Sequence, residues 1–278
     1  MKRRAFVQAA AAATAGCALP SWASHGGRHL RRVSLELYSV RAEMRKDPEG
    51  TLAAVRAMGY DDVELLWSFG NFGRTNEQVK AALANTGLKA PSAHISPTLL
   101  TGDWQKSLDA AAYLGQEYLI APSLTGTEKT LDDWKRWTDI FNTAGATARK
   151  SGIWLGFHNE PDHMKPIDGV VPFDLFLART EPAAVRLQLD AGNMRMGGGD
   201  PMKYLREHTD RFWSFHLKDV VADNSKDTEL GQGTVDFRAL LAMVRDIDHK
   251  PCVVEQEGSA APLESARRNL QYMRALSF

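Results

Sequence analysis

The chain has 278 residues, of which 44% are hydrophobic and 24% are charged. This composition is ordinary for a globular protein, and the length suffices for one large domain or two small ones. The formal net charge is +0, so nothing in the charge balance favours nucleic acid or an anionic membrane surface as a partner. The two cysteines, Cys17 and Cys252, are too few for a disulfide framework.

The start of the chain has the pattern of an export signal. A basic beginning leads into an alanine-rich apolar stretch and a small-x-small cleavage pattern. The pair Arg3 and Arg4 before bulky apolar residues resembles a twin-arginine signal. We predict a cleaved signal peptide over residues 1–23 and a periplasmic mature protein over residues 24–278, with a formal net charge of −3. A membrane anchor and lipid attachment at Cys17 stay open as alternatives.

Short apolar or β-branched segments recur along the mature chain. They cover residues 31–40, 61–67, 89–96, 117–123, 153–160, 185–193, 212–219 and 251–258. Segments with helical periodicity lie between them, including residues 48–59, 76–87, 103–115, 132–152 and 236–247. Four of these helices are followed by a glycine, as a glycine C-cap would require: Gly59, Gly87, Gly115 and Gly152.

Eight strands alternating with helices predict an α/β fold, a single (β/α)8 TIM barrel. An open doubly wound sheet is the alternative. It lacks support because no Gly-x-Gly-x-x-Gly follows the first strand. No linker or low-complexity tract divides residues 24–278, so one domain is predicted.

Polar side chains end several of these strands, and barrel enzymes take their catalytic groups from such ends. The residues at these ends are Glu64, His94, His158, Glu160, Asp190, Asn193, His216, Lys218, Asp219, Glu255 and Glu257. Each alone has an ordinary explanation as a rim residue or a helix cap. Carboxylates converging on one mouth would repel one another unless a cation offset their charge. The pattern therefore predicts one divalent metal ion, and oxygen and imidazole ligands suit Mn²⁺, Co²⁺, Fe²⁺, Mg²⁺ or Zn²⁺.

The simplest ligand set takes one residue from each of the last four strands. It comprises His158 or Glu160, then Asp190, His216 and Glu255. His158 and Glu160 lie two residues apart in a strand and face the same side, so only one need bind the ion.

Eight motifs together resemble a known family. They read ELYSVR, GYDDVELL, SAH, GFHNE, LQLDAGN, FHLKD, LGQGTVDF and VVEQEG, between Val33 and Leu276. The chain resembles the sugar phosphate isomerase/epimerase family of xylose-isomerase-like TIM barrels, in its exported branch. The resemblance implies one divalent ion bound by Glu, Asp, His and Glu, and Asp190, His216 and Glu255 match that pattern.

The fifth strand departs from the family pattern. Related exported sequences read His-Asn-His-x-x-Glu-Phe, whereas this chain has Glu160 in place of the second His and His163 in place of the Glu. Glu160 is the first choice for the fourth ligand and His158 is the second.

The inferred site predicts an enzyme that removes a proton next to the carbonyl of a carbohydrate. A divalent ion would stabilise the enediolate, and the proton would return to the other carbon in isomerisation or to the opposite face in epimerisation. The catalytic candidates are His158, Glu160, Glu255 and Lys218. The substrate-binding candidates are His94, Asn193, Glu64, Glu257 and Trp67. A neutral sugar or keto-sugar is expected, because the glycine-rich candidate for phosphate binding, residues 197–199, is better explained as a loop.

Three other functions are compatible with parts of the pattern. The same metal site could promote elimination on 3-keto-glycosides, as a lyase or hydratase does. A non-catalytic periplasmic sugar-binding protein would need no metal. A three-zinc DNA-repair nuclease would need a basic surface, which the charge balance disfavours. No nucleic acid and no stable membrane insertion of the mature chain are expected, and a homo-oligomer stays open.

Overall fold

The computed structural model describes residues 27–278, so the predicted signal peptide lies outside the described residues. Eight parallel strands, β1 to β8, close into one barrel. They are β1 (Ser34–Glu36), β2 (Asp62–Leu66), β3 (Lys89–His94), β4 (Tyr118–Ala121), β5 (Trp154–His158), β6 (Val185–Asp190), β7 (Phe212–Leu217) and β8 (Cys252–Val254). Each lies within a segment predicted as a strand. The single (β/α)8 barrel is therefore confirmed.

Helices surround the barrel. The α-helices of the described chain are α1 (Arg41–Lys46), α2 (Pro48–Met58), α3 (Asn76–Thr86), α4 (Trp104–Leu114), α5 (Leu131–Lys150), α6 (Pro172–Arg179), α7 (Ala191–Met196), α8 (Pro201–His208), α9 (Phe237–Ala242) and α10 (Pro262–Ala275). Short 3₁₀ turns follow several strands at Leu37–Val40, Trp67–Gly73, Pro97–Thr101 and Pro161–Met164. Within residues 27–278, none of the helices is long and apolar enough to cross a membrane.

The helix ends follow from local sequence chemistry. Thr75 and Gln78 form a capping box that satisfies free N–H groups at the start of α3. Left-handed glycines cap α2, α3 and α4, as predicted: Gly59, Gly87 and Gly115. The fourth predicted glycine, Gly152, also has a positive φ, but it lies one residue beyond the C-cap Ser151 of α5.

Strand β6 shows how the barrel divides apolar from polar side chains. Leu187 and Leu189 are buried in the apolar core. Residues at the alternate positions, Arg186, Gln188 and Asp190, belong to the other face, because successive side chains of a strand point to opposite sides. Gln188 reaches across to His94 of β3. Polar side chains of β6 therefore line the interior of the barrel.

A stacked arginine lies near the amino-terminal ends of β5, β6 and β7. The guanidinium of Arg186 lies 3.4 Å from the ring centroid of Trp154 and 3.4 Å from that of Trp213. Its Nη1 atom also donates to Tyr118 Oη at 2.7 Å. Trp213 occupies the register shift between β6 and β7, where an extra residue opposes the partner strand. The Arg186 guanidinium is thus a planar cation held between two indole rings.

Replacing Arg186 with lysine is expected to lower the free energy of unfolding by about 1 to 2 kcal/mol. A lysine ammonium cannot stack flat on two rings, although it keeps the charge. Chemical denaturation checks this, with Arg149→Lys as the control because Arg149 contacts the single ring of Trp154 at 3.6 Å. Equal losses in both variants would contradict the role of the two-sided stack.

Candidate functional site

Four side chains from β5 to β8 meet at the carboxyl-terminal mouth of the barrel. His158 ends β5, Asp190 ends β6, His216 lies in β7 and Glu255 follows β8. The register pairs Asp190 with His216 on adjacent strands. One ligand-type atom of each residue lies within 4.8 Å of the others, and every member is at most 5% exposed. We call these four residues the outer quartet.

The outer quartet has unsatisfied polar atoms. Both ring nitrogens of His158 and Oδ2 of Asp190 are buried without a hydrogen-bond partner among the described residues. His158 Nε2 is 3.4 Å from that oxygen, and His216 Nδ1 is 3.9 Å from it. Buried polar groups normally have partners. A divalent cation bound by two imidazoles and two carboxylates would satisfy these atoms together, so the donor set fits one such ion.

A hydrogen-bonded chain crosses the mouth beside the outer quartet. Glu160 Oε2 accepts from Asn193 Nδ2 at 3.0 Å, and Asn193 Oδ1 accepts from Lys218 Nζ at 3.0 Å. Lys218 also donates to Glu257 Oε1 at 2.6 Å. Its ammonium is buried, whereas the side chains of Glu160 and Glu257 are 32% and 41% exposed. This mouth chain places one solvent-accessible carboxylate at each end and a buried cation between them.

The charges of the site shift its pKa values. Burial among protein atoms raises the pKa of Glu160 to about 7, although His158 and Lys218 lower it. Burial alone would lower the pKa of Lys218, but Asp190, Glu255 and other carboxylates hold it well above its usual value. Lys218 therefore stays charged and offsets part of the negative charge around it. One ammonium does not balance the four carboxylates in its surroundings.

The junctions after β5 and β6 fix the ends of these strands. Asp190 Oδ1 accepts from Asn193 N at 2.7 Å and so caps α7. The Asn159 side chain exchanges two hydrogen bonds of 2.9 Å with the backbone of Asp190. Gly192 leaves room for Lys218, because a Cβ atom there would lie 2.8 Å from Lys218 Cγ. The motif LQLDAGN thus positions a ligand-type carboxylate, an amide and the buried lysine together.

A second group of ligand-type residues lies deeper in the barrel and shares His216. It comprises Glu36 of β1, Glu64 of β2 and His94 of β3 together with His216. His216 Nε2 is 2.6 Å from Glu64 Oε1 and 3.0 Å from Glu36 Oε2. Burial lowers the pKa of His216, but Glu36, Glu64 and Glu255 raise it well above its usual value. We call these four residues the deep quartet.

Of the two candidates for the fourth ligand, the structure places His158 in the outer quartet. Glu160 lies two residues beyond the end of β5, where Pro161 begins a 3₁₀ turn, and it belongs to the mouth chain. His158 and Glu160 are on the same side as expected, with His158 Nδ1 3.8 Å from Glu160 Oε1. The placement favours His158, the second choice from sequence, and the ligand assignment itself stays a prediction.

The residues predicted to bind substrate lie at different depths. Asn193 and Glu257 belong to the mouth chain. Trp67 begins the turn after β2, with its indole Nε1 buried and without a partner among the described residues. Glu64 and His94 lie in the deep quartet, where Glu64 is 0% exposed. Substrate contact by these residues stays a prediction, and the burial of Glu64 favours a role behind a ligand.

Sequence reasoning missed three residues of the site: Glu36, Asn159 and Gln188. Glu36 is a carboxylate inside the first predicted strand segment, residues 31–40, and only the structure shows that it ends β1 and pairs in register with Glu64. Asn159 and Gln188 had no signal in the sequence, because their hydrogen-bond partners come from neighbouring or opposite strands.

Asp219, another strand-end carboxylate, holds a loop. Its two oxygens accept from the backbone N–H groups of Val220, Gly231, Gly233 and Val235 at 2.9 to 3.0 Å. The motif LGQGTVDF is therefore folded around this side chain, and Asp219 is occupied as a structural acceptor.

The comparison with known families agrees with this geometry. Residues 52–276 match the family described as xylose isomerase-like TIM barrel. The chain belongs to that family. A sugar phosphate isomerase/epimerase from Parabacteroides distasonis superposes with a TM-score of 0.75 at 24% identity, covering 91% of this chain and 98% of that one. The 3-keto-D-glucoside 4-epimerase of E. coli superposes with a TM-score of 0.68 at 20% identity, covering 88% and 99%. At these identities the two superpositions show a shared fold.

Curated relatives match part of the chain. The inosose dehydratase of Salmonella agona (strain SL483) is 27% identical over 166 residues, which cover 52% of this chain and 54% of the relative. The chain therefore spans about half the length of the curated relatives it matches.

Proposed function

We propose that this family member is a divalent-metal-dependent sugar isomerase or epimerase. It would remove a proton from the carbon next to a carbonyl of a neutral sugar or keto-sugar. The observation that carries the proposal is the mouth chain beside the outer quartet, because a carboxylate at each end can face two sides of one substrate. The metal requirement rests on the unsatisfied buried atoms of His158 and Asp190.

When bound, a divalent ion supplies Lewis acidity to a carbonyl and stabilises the negative charge that develops as the proton leaves. His158, Asp190, His216 and Glu255 would hold it. The remaining chemistry belongs to other side chains of the mouth.

Glu160 and Glu257 would exchange protons with the substrate. Both are accessible, and each keeps one oxygen in a hydrogen bond, Glu160 with Asn193 and Glu257 with Lys218. The bonded oxygen orients the carboxylate, which leaves the other oxygen for a substrate proton. Lys218 links the two ends through Asn193 and keeps their spacing fixed. Removal by one carboxylate and return by the other would invert the carbon, which is epimerisation.

A neutral substrate is favoured by the glycine-rich segment after α7. The backbone N–H groups of Gly197, Gly198 and Gly199 already donate to the carbonyls of Asn193, Arg195 and Met194. Phosphate-binding glycine loops need free N–H groups.

A cavity near the mouth also favours a neutral substrate. A cavity of about 350 Å³ lies beyond the ends of β3 and β4. It is lined by Ser68, Ile95, Ser96, Pro97, Thr98, Pro122, Ser123, Leu124 and Thr125. This lining offers hydroxyl groups and apolar surface and contains no basic side chain, which suits sugar hydroxyls better than phosphate.

Elimination is the second candidate function. The curated relatives named inosose dehydratase favour it, because loss of water from a keto-sugar begins with the same proton removal. An acid at the mouth, such as Glu160 or Glu257, would then protonate the leaving group instead of the carbon.

Deuterium exchange tests the proposal. Protein loaded with Mn²⁺, Co²⁺ or Zn²⁺ is incubated in D₂O with neutral sugars and 3-keto-glycosides, and the products are read by NMR and mass spectrometry. Deuterium next to the carbonyl with retained mass balance supports isomerisation or epimerisation, and an unsaturated product indicates elimination. Glu257→Gln should slow exchange by roughly 10²- to 10⁴-fold. If every metal-loaded form binds a sugar without deuterium exchange, the proposal is wrong and the protein is a sugar-binding protein. Three zinc ions per chain would instead indicate a nuclease-type site.

A further inference from the structure

The deep quartet raises the question of whether the barrel holds a second ion. Its four residues have the donor types of a metal site and are at most 5% exposed. His216 belongs to both quartets through different ring nitrogens: Nδ1 faces Glu255 Oε2 at 2.7 Å, and Nε2 faces Glu64 Oε1 at 2.6 Å. A neutral imidazole has one free lone pair, so the two quartets compete for it.

The hydrogen bonds around Glu64 settle which atoms carry protons. Gln188 Nε2 donates to Ser214 Oγ at 3.0 Å and to Glu64 Oε2 at 3.1 Å, which fixes the orientation of its amide. Gln188 Oε1 must then accept from His94 Nε2 at 2.9 Å. Ser92 Oγ also donates to Glu64 Oε2, at 2.6 Å.

Glu64 is therefore surrounded by donors. Ser92 and Gln188 converge on its Oε2 atom, and His216 Nε2 faces its Oε1 atom. A cation at this position would have to displace the hydrogen bonds from all three donor residues. The deep quartet holds one atom without a hydrogen-bond partner among the described residues, Glu36 Oε2, which lies 3.0 Å from His216 Nε2. The outer quartet holds three such atoms, both ring nitrogens of His158 and Asp190 Oδ2, and the last lies 3.2 Å from Lys218 Nζ.

We propose that Glu64 is a positioning residue that holds the Nε2 proton of His216, so that Nδ1 presents its lone pair to the ion of the outer quartet. The deep quartet is then a proton-holding group, and the chain binds one ion. This assignment rests on the proposed function. Carboxylates that accept from the second ring nitrogen of a ligating histidine fix its tautomer and increase its basicity.

Glu64→Gln is the informative change. The donors Ser92 and Gln188 converge on one oxygen, so the amide oxygen of the new side chain stays with them and its NH₂ group points at His216 Nε2. That nitrogen must then accept, and the proton moves to Nδ1, where it blocks the ion. We expect Co²⁺ affinity to fall about 10- to 100-fold. Nitrogen NMR of histidine-labelled protein should show a proton on His216 Nε2 in the wild type and none on that nitrogen in Glu64→Gln.

Ser92→Ala is the matched control. It removes one donor from the same buried carboxylate but keeps the acceptor for His216, so the Co²⁺ affinity and the proton on His216 Nε2 should remain those of the wild type. Equal losses in both variants would mean that Glu64 acts only in packing and would overturn the assignment. Unchanged Co²⁺ affinity together with a retained Nε2 proton in Glu64→Gln would also overturn it, and so would two Co²⁺ ions per wild-type chain.

Different results would overturn the proposed function and the proposed role of Glu64. A wild-type chain that binds no Co²⁺ overturns the proposed function, while the presence of a proton on His216 Nε2 in the wild type and its absence in Glu64→Gln, both metal-free, still decide the role of Glu64. If Glu64→Gln does not fold, NMR of the Co²⁺-free and Zn²⁺-loaded wild type decides it. Zinc on Nδ1 with a proton on Nε2 supports the assignment, and zinc on Nε2 overturns it.

Discussion

Replacement of Asp190, His216 or Glu255 is expected to remove the divalent ion and to abolish turnover. Each residue supplies one of four ligand-type side chains whose atoms lie within 4.8 Å of one another. Loss of a direct ligand should exceed the roughly 10- to 100-fold loss of affinity typical of a change behind a ligand. Elemental analysis of the purified variants gives the ion content, and the exchange assay gives the activity.

The choice of substitution matters most at Asp190. Its Oδ1 atom caps α7, so alanine would also remove a cap that contributes about 0.5 to 2 kcal/mol. Asp190→Asn keeps an oxygen for the Asn193 N–H group while removing the charge. If Asp190→Asn loses the ion while its free energy of unfolding is unchanged, the loss is due to the missing ligand alone.

Asp162→Ala provides the control for these variants. Asp162 is an exposed carboxylate on the turn after β5 and is not among the outer quartet. Its replacement should leave the ion content unchanged. Full occupancy in Asp190→Asn, His216→Ala and Glu255→Ala together would refute the outer quartet as the metal site.

The sequence was sufficient for the barrel because periodicity and glycine caps are local signals. The lengths of the strands were harder to predict from the sequence. The first segment was predicted over residues 31–40, but β1 covers Ser34–Glu36 and a 3₁₀ turn follows at Leu37–Val40. An apolar run does not indicate where a buried strand gives way to a buried turn, since both bury the same kinds of side chain.

The outer quartet could be largely anticipated for a related reason. Asp190, His216 and Glu255 end consecutive parallel strands, and the register of a barrel brings such ends together. The deep quartet could not be anticipated from the sequence, because its residues meet only through contacts across the barrel. Glu64 and His216 are 152 residues apart in the chain, and their contact exists only after the strands close.

The choice between His158 and Glu160 also depended on a distance that alternation does not give. Two residues of strand advance the chain by roughly 7 Å along its axis. Both side chains can face the mouth, yet only His158 has a ligand-type atom within 4.8 Å of those of Asp190, His216 and Glu255. His158 is the last residue of β5 and pairs with Gln188 in the strand register, whereas Glu160 lies beyond the strand at the start of a 3₁₀ turn.

His158→Ala is therefore expected to lose the ion, whereas Glu160→Gln is expected to keep it and to slow turnover by roughly 10²- to 10⁴-fold. His158 Nε2 lies 3.4 Å from Asp190 Oδ2, and its removal takes one of four ligands from the site. Glutamine at position 160 can still accept from Asn193 but can no longer take a proton. Ion content and deuterium exchange measured on both variants separate the roles. The reverse pattern, with the ion lost in Glu160→Gln and kept in His158→Ala, would make Glu160 the fourth ligand and His158 the candidate acid or base.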